Sequence, residues 1–229
     1  MIQRVAGLFM LSMMVAASTN ATIIPLNNDD FENPTLGLNS TTTLNNVPSW
    51  NVTGGPDIAR VFHPLADSST HFNTGAIPSP NNVLMIDLDG VVDQANTGGF
   101  VATPFVTYIL QVSVGNILNN ITNGRVRLSI LAGPGVLASL VVNSPAINAI
   151  TDGEFQQFTL SYKVLPGNTL IGGLIGARLE ALGGGDSVYL DNVVLSSVLP
   201  EPGTWALMAV ASVFGTGYLV KRRRKSLVA

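Results

Sequence analysis

Apolar and polar residues alternate in three runs in the middle of the chain. In residues 105–114, Tyr108, Leu110, Val112 and Val114 fall on one face and Thr107, Gln111 and Ser113 on the other. In residues 125–131, Val126, Leu128 and Ile130 stand opposite Arg125, Arg127 and Ser129. Further on, Phe158, Leu160, Tyr162 and Val164 face away from Thr159, Ser161 and Lys163. A period of two is that of a strand with one face in a core. Residues 188–196 read as another strand. Residues 83–88 and 136–142 are more continuously apolar, the pattern of strands covered on both faces. Turn-forming clusters separate these runs: Asn119-Asn120, Gly133-Pro134-Gly135, Pro166-Gly167-Asn168 and Gly183-Gly184-Gly185. Residues 22–199 contain no run of strong helix formers and no internal repeat. The pattern therefore predicts an all-β fold, an antiparallel β-sandwich of the jelly-roll kind. Residues 27–56 are polar and barely alternate, but Phe31, Leu44 and Trp50 punctuate them. They read as ordered loops wrapping one end of the sandwich.

Two apolar runs at the chain ends do not alternate. Arg4 precedes a short apolar stretch, residues 5–17, followed by small residues. That is the layout of a secretory signal peptide, placed here at 1–21, with cleavage after Ala17 or Ala21. At the other end stands Pro200-Glu201-Pro202, a stiff junction that continues neither strand nor helix. The uncharged run 203–220 follows, with a transmembrane helix expected at 204–220. Lys221, Arg222, Arg223, Arg224 and Lys225 then form a basic cluster that stops transfer on the cytoplasmic side. A plain single-pass anchor is the other reading of this tail. The division is thus 1–21, 22–198 and 199–229, with the body exported across the inner membrane.

Composition narrows the body further. The chain has no cysteine, so an exported fold must be held by its core and not by disulfides. Thiolate zinc sites and cysteine nucleophiles are excluded. Within residues 22–199 there are five Arg or Lys against thirteen Asp or Glu, a net charge of −8. That balance argues against a nucleic-acid partner. It suits calcium and neutral polysaccharide.

The ordered tail, residues 199–226, resembles the PEP-CTERM sorting signal of bacterial proteins handled by exosortase. The resemblance implies passage through the inner membrane, cleavage near Pro200-Glu201-Pro202 by an exosortase-type processing protease, and release to the cell surface or extracellular matrix. In the body, Asn28-Asp29-Asp30-Phe31-Glu32-Asn33-Pro34 resembles the opening motif of jelly-roll carbohydrate-binding modules with a galactose-binding-like fold. Tyr189-Leu190-Asp191-Asn192-Val193-Val194-Leu195 resembles their final strand, and residues 108–116 are similar to one of their middle strands. The resemblance implies that first and last strands lie close and share a structural calcium ion. Glu32 and Asp191 match the family's carboxylate positions, and Asp30 is a third donor. By alternation Tyr189, Asp191, Val193 and Leu195 share one face of the last strand. An Asp there needs a metal, or hydrogen bonds to a neighbouring loop. Asp87, Asp89 and Gly90 read as a strand end entering a turn.

No Ser-His-Asp grouping, phosphate loop or redox motif is visible. The expectation is therefore a non-enzymatic surface or matrix protein that binds extracellular polysaccharide. Trp50, Phe62 and Phe72 are the candidates to stack on sugar rings. A purely structural matrix component is a second reading. A glycan-acting or cyclase-like enzyme is a third, since the same jelly-roll outline resembles Stig-type cyclases of hapalindole biosynthesis. That resemblance implies a calcium-supported fold and acid catalysis by an Asp with aromatic neighbours, whose place Asp191 matches.

Overall fold

A computed structural model describes residues 21–37, 40–42, 46–53, 59–64, 72–73, 76–78, 81–87, 89–117, 124–183 and 186–199. The segment expected to be a signal peptide (apart from Ala21), the Pro-Glu-Pro junction, the apolar run and the basic cluster lie outside the described residues. Those described group into one unit, Ala21–Val198. Among them no helix is long and apolar enough to cross a membrane.

Among the described residues the strands follow in this order: β1 (Ala21–Ile24), β2 (Asn51–Thr53), β3 (Ala59–Phe62), β4 (Val83–Ile86), β5 (Val91–Ala95), β6 (Thr107–Gly115), β7 (Val126–Ala132), β8 (Gly135–Val142), β9 (Phe155–Lys163), β10 (Ile175–Ala181) and β11 (Val188–Val198). A short helix, α1 (Ser144–Asn148), lies among them, with Pro145 in its first turn where the missing N–H costs nothing. One sheet runs β3-β4-β11-β6-β9, with β1 also paired to β11; the other runs β2-β5-β10-β7-β8. Every strand pairing is antiparallel.

The alternation seen in the sequence sets the core. Leu110, Val112 and Val114 of β6, Leu190, Val193 and Leu195 of β11, and Leu84 and Ile86 of β4 come from the first sheet. They join Val92, Leu128, Ile130, Ala177 and Leu179 of the second sheet in one buried cluster. Two packed sheets with a shared apolar interior are a sandwich. The polar alternates of the second sheet form ion pairs on its outer face, Arg127–Glu180 at 2.8 Å and Arg178–Asp93 at 3.6 Å. Residues 136–142 differ from the expectation of a strand covered on both faces. They form β8, which has one neighbour only, and Val136 and Val141 are exposed on it. Apolar β-branched residues there reflect strand propensity more than burial.

The first and last strands are adjacent, as the motif resemblance implied: Ile24 pairs with Leu195 and Ala21 with Val198. Between the β4 and β1 pairings, the β11 edge is held by the N-terminal loop, where Val193 N–H donates to the Asp29 carbonyl at 2.9 Å. The loop's sequence motif is explained by its contacts. Asn28 Oδ1 accepts from Asn33 N–H at 2.8 Å, and Asn28 Nδ2 donates to the Asn33 and Pro48 carbonyls. Phe31 is fully buried against Trp50, ring centroids 5.6 Å apart, and Trp50 Nε1 donates to the Asn28 carbonyl. The described part of the expected loop wrap thus packs into the core through Phe31, Val47 and Trp50.

Candidate functional site

The last strand does not keep one face throughout. Asn192 has a φ of 48°, a left-handed conformation that Asn tolerates better than most residues, and the register to β6 shifts between Asp191 and Val194. This is a β-bulge, and one extra residue moves the side chains beyond it to the other face. Val188, Leu190, Val193 and Leu195 therefore all reach the main core. Tyr189 and Asp191 face the opposite way, onto the outer face of the first sheet. The expectation that Tyr189 and Asp191 share a face with Val193 and Leu195 is corrected by this bulge.

On that outer face a second apolar cluster is built. Phe62 of β3, Val83 of β4, Tyr189 of β11 and Phe72 from the β3–β4 connection form it, with Met85, Ile77, Ile117 and Phe155 packed around them. Cross-strand register lines up Met85, Tyr189, Gly115 and Phe155 in one row. Gly115 is a requirement here. A Cβ at that position would lie 2.8 Å from both the Phe155 and Phe72 rings. Without it, Phe72 settles over the sheet, 4.7 Å from Phe155 and 5.5 Å edge-on from Tyr189 by ring centroids. Phe62 lies 6.5 Å from Tyr189 on the other side.

Phe72 is pinned through its neighbour. Asn73 N–H donates to the Gly153 carbonyl at 2.9 Å, and Asn73 Nδ2 donates to the Asp152 carbonyl and to Glu154 Oε1 at 2.8 and 3.0 Å. The 150–154 turn is in turn fastened to the end of β6 by Asn116, whose Nδ2 donates to the Ile150 carbonyl at 2.9 Å.

Asp191 sits one row along from Tyr189, opposite Ser113 of β6, and has no solvent exposure. Its Oδ1 accepts the Asn192 N–H at 2.7 Å. The arrangement is a fully buried carboxyl group on the same sheet face as a packed cluster of aromatic rings. Chemically it can deliver a proton into a dry site and flank a cation with π faces. The Tyr189 hydroxyl is pushed above the usual phenol range, first by burial and then by the charge of Asp87.

The carboxylates expected to hold calcium do other work. Glu32 Oε1 accepts from the Asn81 and Asn82 amides at 2.8 and 2.7 Å, clasping the start of β4. Asp30 Oδ1 accepts the Glu32 N–H at 3.3 Å. Among the described residues no three His, Asp or Glu converge as a metal set. Two backbone N–H groups face Glu32 Oε1, so in this arrangement that oxygen serves the start of β4. The three rings proposed to stack on sugars are also placed differently. Trp50 and Phe62 are 6% exposed and Phe72 0%, so Trp50 belongs to the main core and the two Phe to the aromatic cluster. The sequence missed Tyr189 and Gly115 as site residues. The spacing Tyr189-Leu190-Asp191 puts a ring and an acid on one strand face, which was a usable signal. The Gly115 end of β6 had none until the register was known.

Solved structures that share this fold include cyclases from Fischerella. The Stig cyclase Fisc from Fischerella sp. TAU, in complex with (3Z)-3-(1-methyl-2-pyrrolidinylidene)-3H-indole, overlays with a TM-score of 0.66 at 23% identity, covering 80% of this chain and all of that one. An apo cyclase from Fischerella sp. gives 0.64 at 24% identity, covering 77% and 96%. A cyclase from Fischerella sp. TAU in complex with 4-(1H-Indol-3-yl)butan-2-one gives 0.63 at 22%, covering 79% and 99%. No curated protein matches. At the level of families, residues 22–196 match HpiC1-like, described as HpiC1 cyclase. This overturns the expectation of a non-enzymatic protein. That expectation rested on the lack of a catalytic motif, and an acid with rings from several strands leaves none in the sequence. With well over half of the chain inside the match, it belongs to the HpiC1-like cyclase family.

Proposed function

We propose that this protein is a cyclase that closes a ring by proton-initiated chemistry, with Asp191 as the acid. The observation that carries the reading is the fully buried Asp191 carboxyl on the same sheet face as Tyr189, Phe62, Phe72 and Phe155. In the proposed reaction the Asp191 carboxylic acid gives its proton to an unsaturated carbon of the substrate. This leaves a carboxylate and a carbocation. The surrounding rings stabilise the cation through their π faces, by about 0.5–2 kcal/mol per contact. An internal nucleophilic carbon then closes on the cation, and loss of a proton to the Asp191 carboxylate restores the acid. Atoms balance as an isomerisation, and no water is consumed. Exclusion of water protects the cation from capture.

The substrate class follows from the same face. Its walls are apolar rings, and the cyclases of like fold hold indole-containing ligands. We infer a flat aromatic substrate, an indole carrying an unsaturated side chain. Polysaccharide is not carried forward as the ligand, because residues 22–196 match a cyclase family and Trp50 belongs to the main core. No step depends on calcium. The test is product analysis with such indoles. Wild-type chain should form a cyclised isomer, and Asp191→Asn, melting like wild type, should lose at least a hundredfold in rate, within the usual worth of a general acid. Equal turnover by Asp191→Asn would defeat the proposal.

The place of action is a second part of the proposal. The ordered tail from Pro200 to Lys225 supports export, exosortase processing and delivery to the cell surface or matrix. Mass spectrometry of the extracellular form should find the body without residues 205–221. Finding that peptide still attached would remove the sorting reading and leave a membrane-anchored cyclase.

A further inference from the structure

The end of the sandwich at which β11 finishes is built unlike the other. Register brings Ala21 of β1, Val198 of β11, Thr107 of β6 and Lys163 of β9 into one row there. The second sheet supplies the close of β5, the β7–β8 turn and the start of β10. The loops of this end are stitched to one another. Ala102 N–H donates to the Gly173 carbonyl at 2.8 Å, Gly172 N–H to the Ala102 carbonyl at 2.9 Å, and Gly133 N–H to the Leu174 carbonyl at 2.8 Å.

Apolar side chains crowd this end and face outward. Ile23, Val101, Val136, Leu165, Ile171 and Leu174 stand on it or within two residues of it, each 39–62% exposed. Among the described residues of Ala21–Val198, the other large apolar side chain with similar exposure is Val141, towards the far end of β8. Exposed apolar residues scattered singly need no explanation, but a gathering at one end marks a contact surface. Charge is distributed the opposite way. Residues 96–106, 133–134 and 164–174 contain no Asp, Glu, Lys or Arg, and Lys163 borders them. The other end carries Asp89, Arg125, Asp152 and Glu154 beside the first residues of β5, β7 and β9.

Chain connectivity says what covers such an end. The strand that finishes there leads through Leu199 and Pro200-Glu201-Pro202 into the uncharged run 203–220. The steps from Leu199 to Gly203 span at most about 14 Å at ~3.5 Å per residue. A body joined so closely to a membrane span meets the bilayer with this end first. We propose that this end of the sandwich docks on the outer surface of the inner membrane while the tail is attached. Leu165, Ile171 and Leu174 enter the boundary between headgroups and acyl chains, and Lys163 reaches lipid phosphate. The loop hydrogen bonds are already made within the protein, so entering that layer leaves them intact. The inference rests on the reading of 203–220 as a membrane span and is independent of the cyclase reading. It also sets the candidate site away from lipid. Tyr189 lies at the other end of β11 from Val198, roughly 30 Å off at ~3.3 Å per residue.

The chain has no cysteine, so one introduced thiol carries one label. The full chain is reconstituted into vesicles of phosphatidylethanolamine and phosphatidylglycerol, and flotation checks that it enters them. An environment-sensitive fluorophore is attached through Leu165→Cys, through Ile171→Cys or, as the control, through Val141→Cys. The labels at 165 and 171 should emit at shorter wavelength than the control. Spin-labelled lipid in the same membrane should quench them several-fold more strongly. Water-like emission at all three positions, in vesicles that hold the chain, would overturn the docking and leave the span standing. Short-wavelength emission without lipid quenching would also overturn it, because protein, such as a second copy, would then cover the face. Failure of the chain to float would overturn span and docking together. A second variant tests the apolar contact itself. Leu165→Asp with Ile171→Asp, both at exposed positions, should keep the wild-type melting temperature and weaken the quenching of a label placed through Leu174→Cys. Undiminished quenching there would overturn insertion of these loops.

Discussion

Glu32 accepts two backbone amide protons at the start of β4 and so joins the N-terminal loop to the first sheet. Its removal leaves those donors without their charged acceptor. Glu32→Ala should therefore cost roughly 2 kcal/mol of stability, read as an equal drop in melting temperature in calcium and in EDTA. A drop seen only with calcium present would restore a cation to this loop. Asp29 offers a pH test. Burial raises its pKa above the ordinary 3.8, outweighing its backbone hydrogen bonds, and the Asp30 charge adds to the rise. The folded chain thus holds this proton to higher pH than the unfolded chain does. The contribution favours folding in acid below the unfolded value and is lost as pH rises through the folded one. At neutral pH a charged Asp29 is a net cost. Asp29→Asn, which keeps the carbonyl bond to Val193, should gain melting temperature relative to wild type as pH rises from the acid side of 3.8 to neutrality. A difference independent of pH would contradict this.

At the scale of elements, the bulge in β11 decides what the last strand does. It turns Tyr189 and Asp191 outward while Val193 and Leu195 stay in the core. Gly115 of β6 then gives Phe72 its seat. Gly115→Ala should lower stability by about 1–3 kcal/mol through overpacking. It should also change the near-ultraviolet circular dichroism of the aromatic cluster while leaving the far-ultraviolet strand signal intact. Unaltered near-ultraviolet signal would mean Phe72 does not rest on Gly115. What was legible in the sequence follows the same division. β6, β7, β9 and β11 announced themselves by alternation, since each has one apolar face turned to the core. β3, β5 and β10 did not, being short or rich in small residues such as Gly176 and Ala177. β4 reads as uniformly apolar because the main core lies on one side of it and the aromatic cluster on the other. Asp191 was legible as an acid in need of a partner. Its true face was not, because a bulge is one residue of backbone conformation and carries no period.

For the whole molecule, the sandwich gives two buried regions different tasks. The interior between the sheets holds the fold, and the outer face of the first sheet carries the aromatic cluster and the acid. The central claim is that Asp191 starts ring closure by placing a proton on carbon, and isotope labelling tests it most directly. Wild-type chain and Asp191→Asn are given an indole-bearing alkene in deuterium oxide, and the cyclised product is analysed by mass spectrometry and NMR. The account predicts a wild-type product carrying one deuterium at the carbon that was protonated, and no such product from a folded Asp191→Asn. A cyclised product free of deuterium, or labelled product formed equally well by Asp191→Asn, would contradict it.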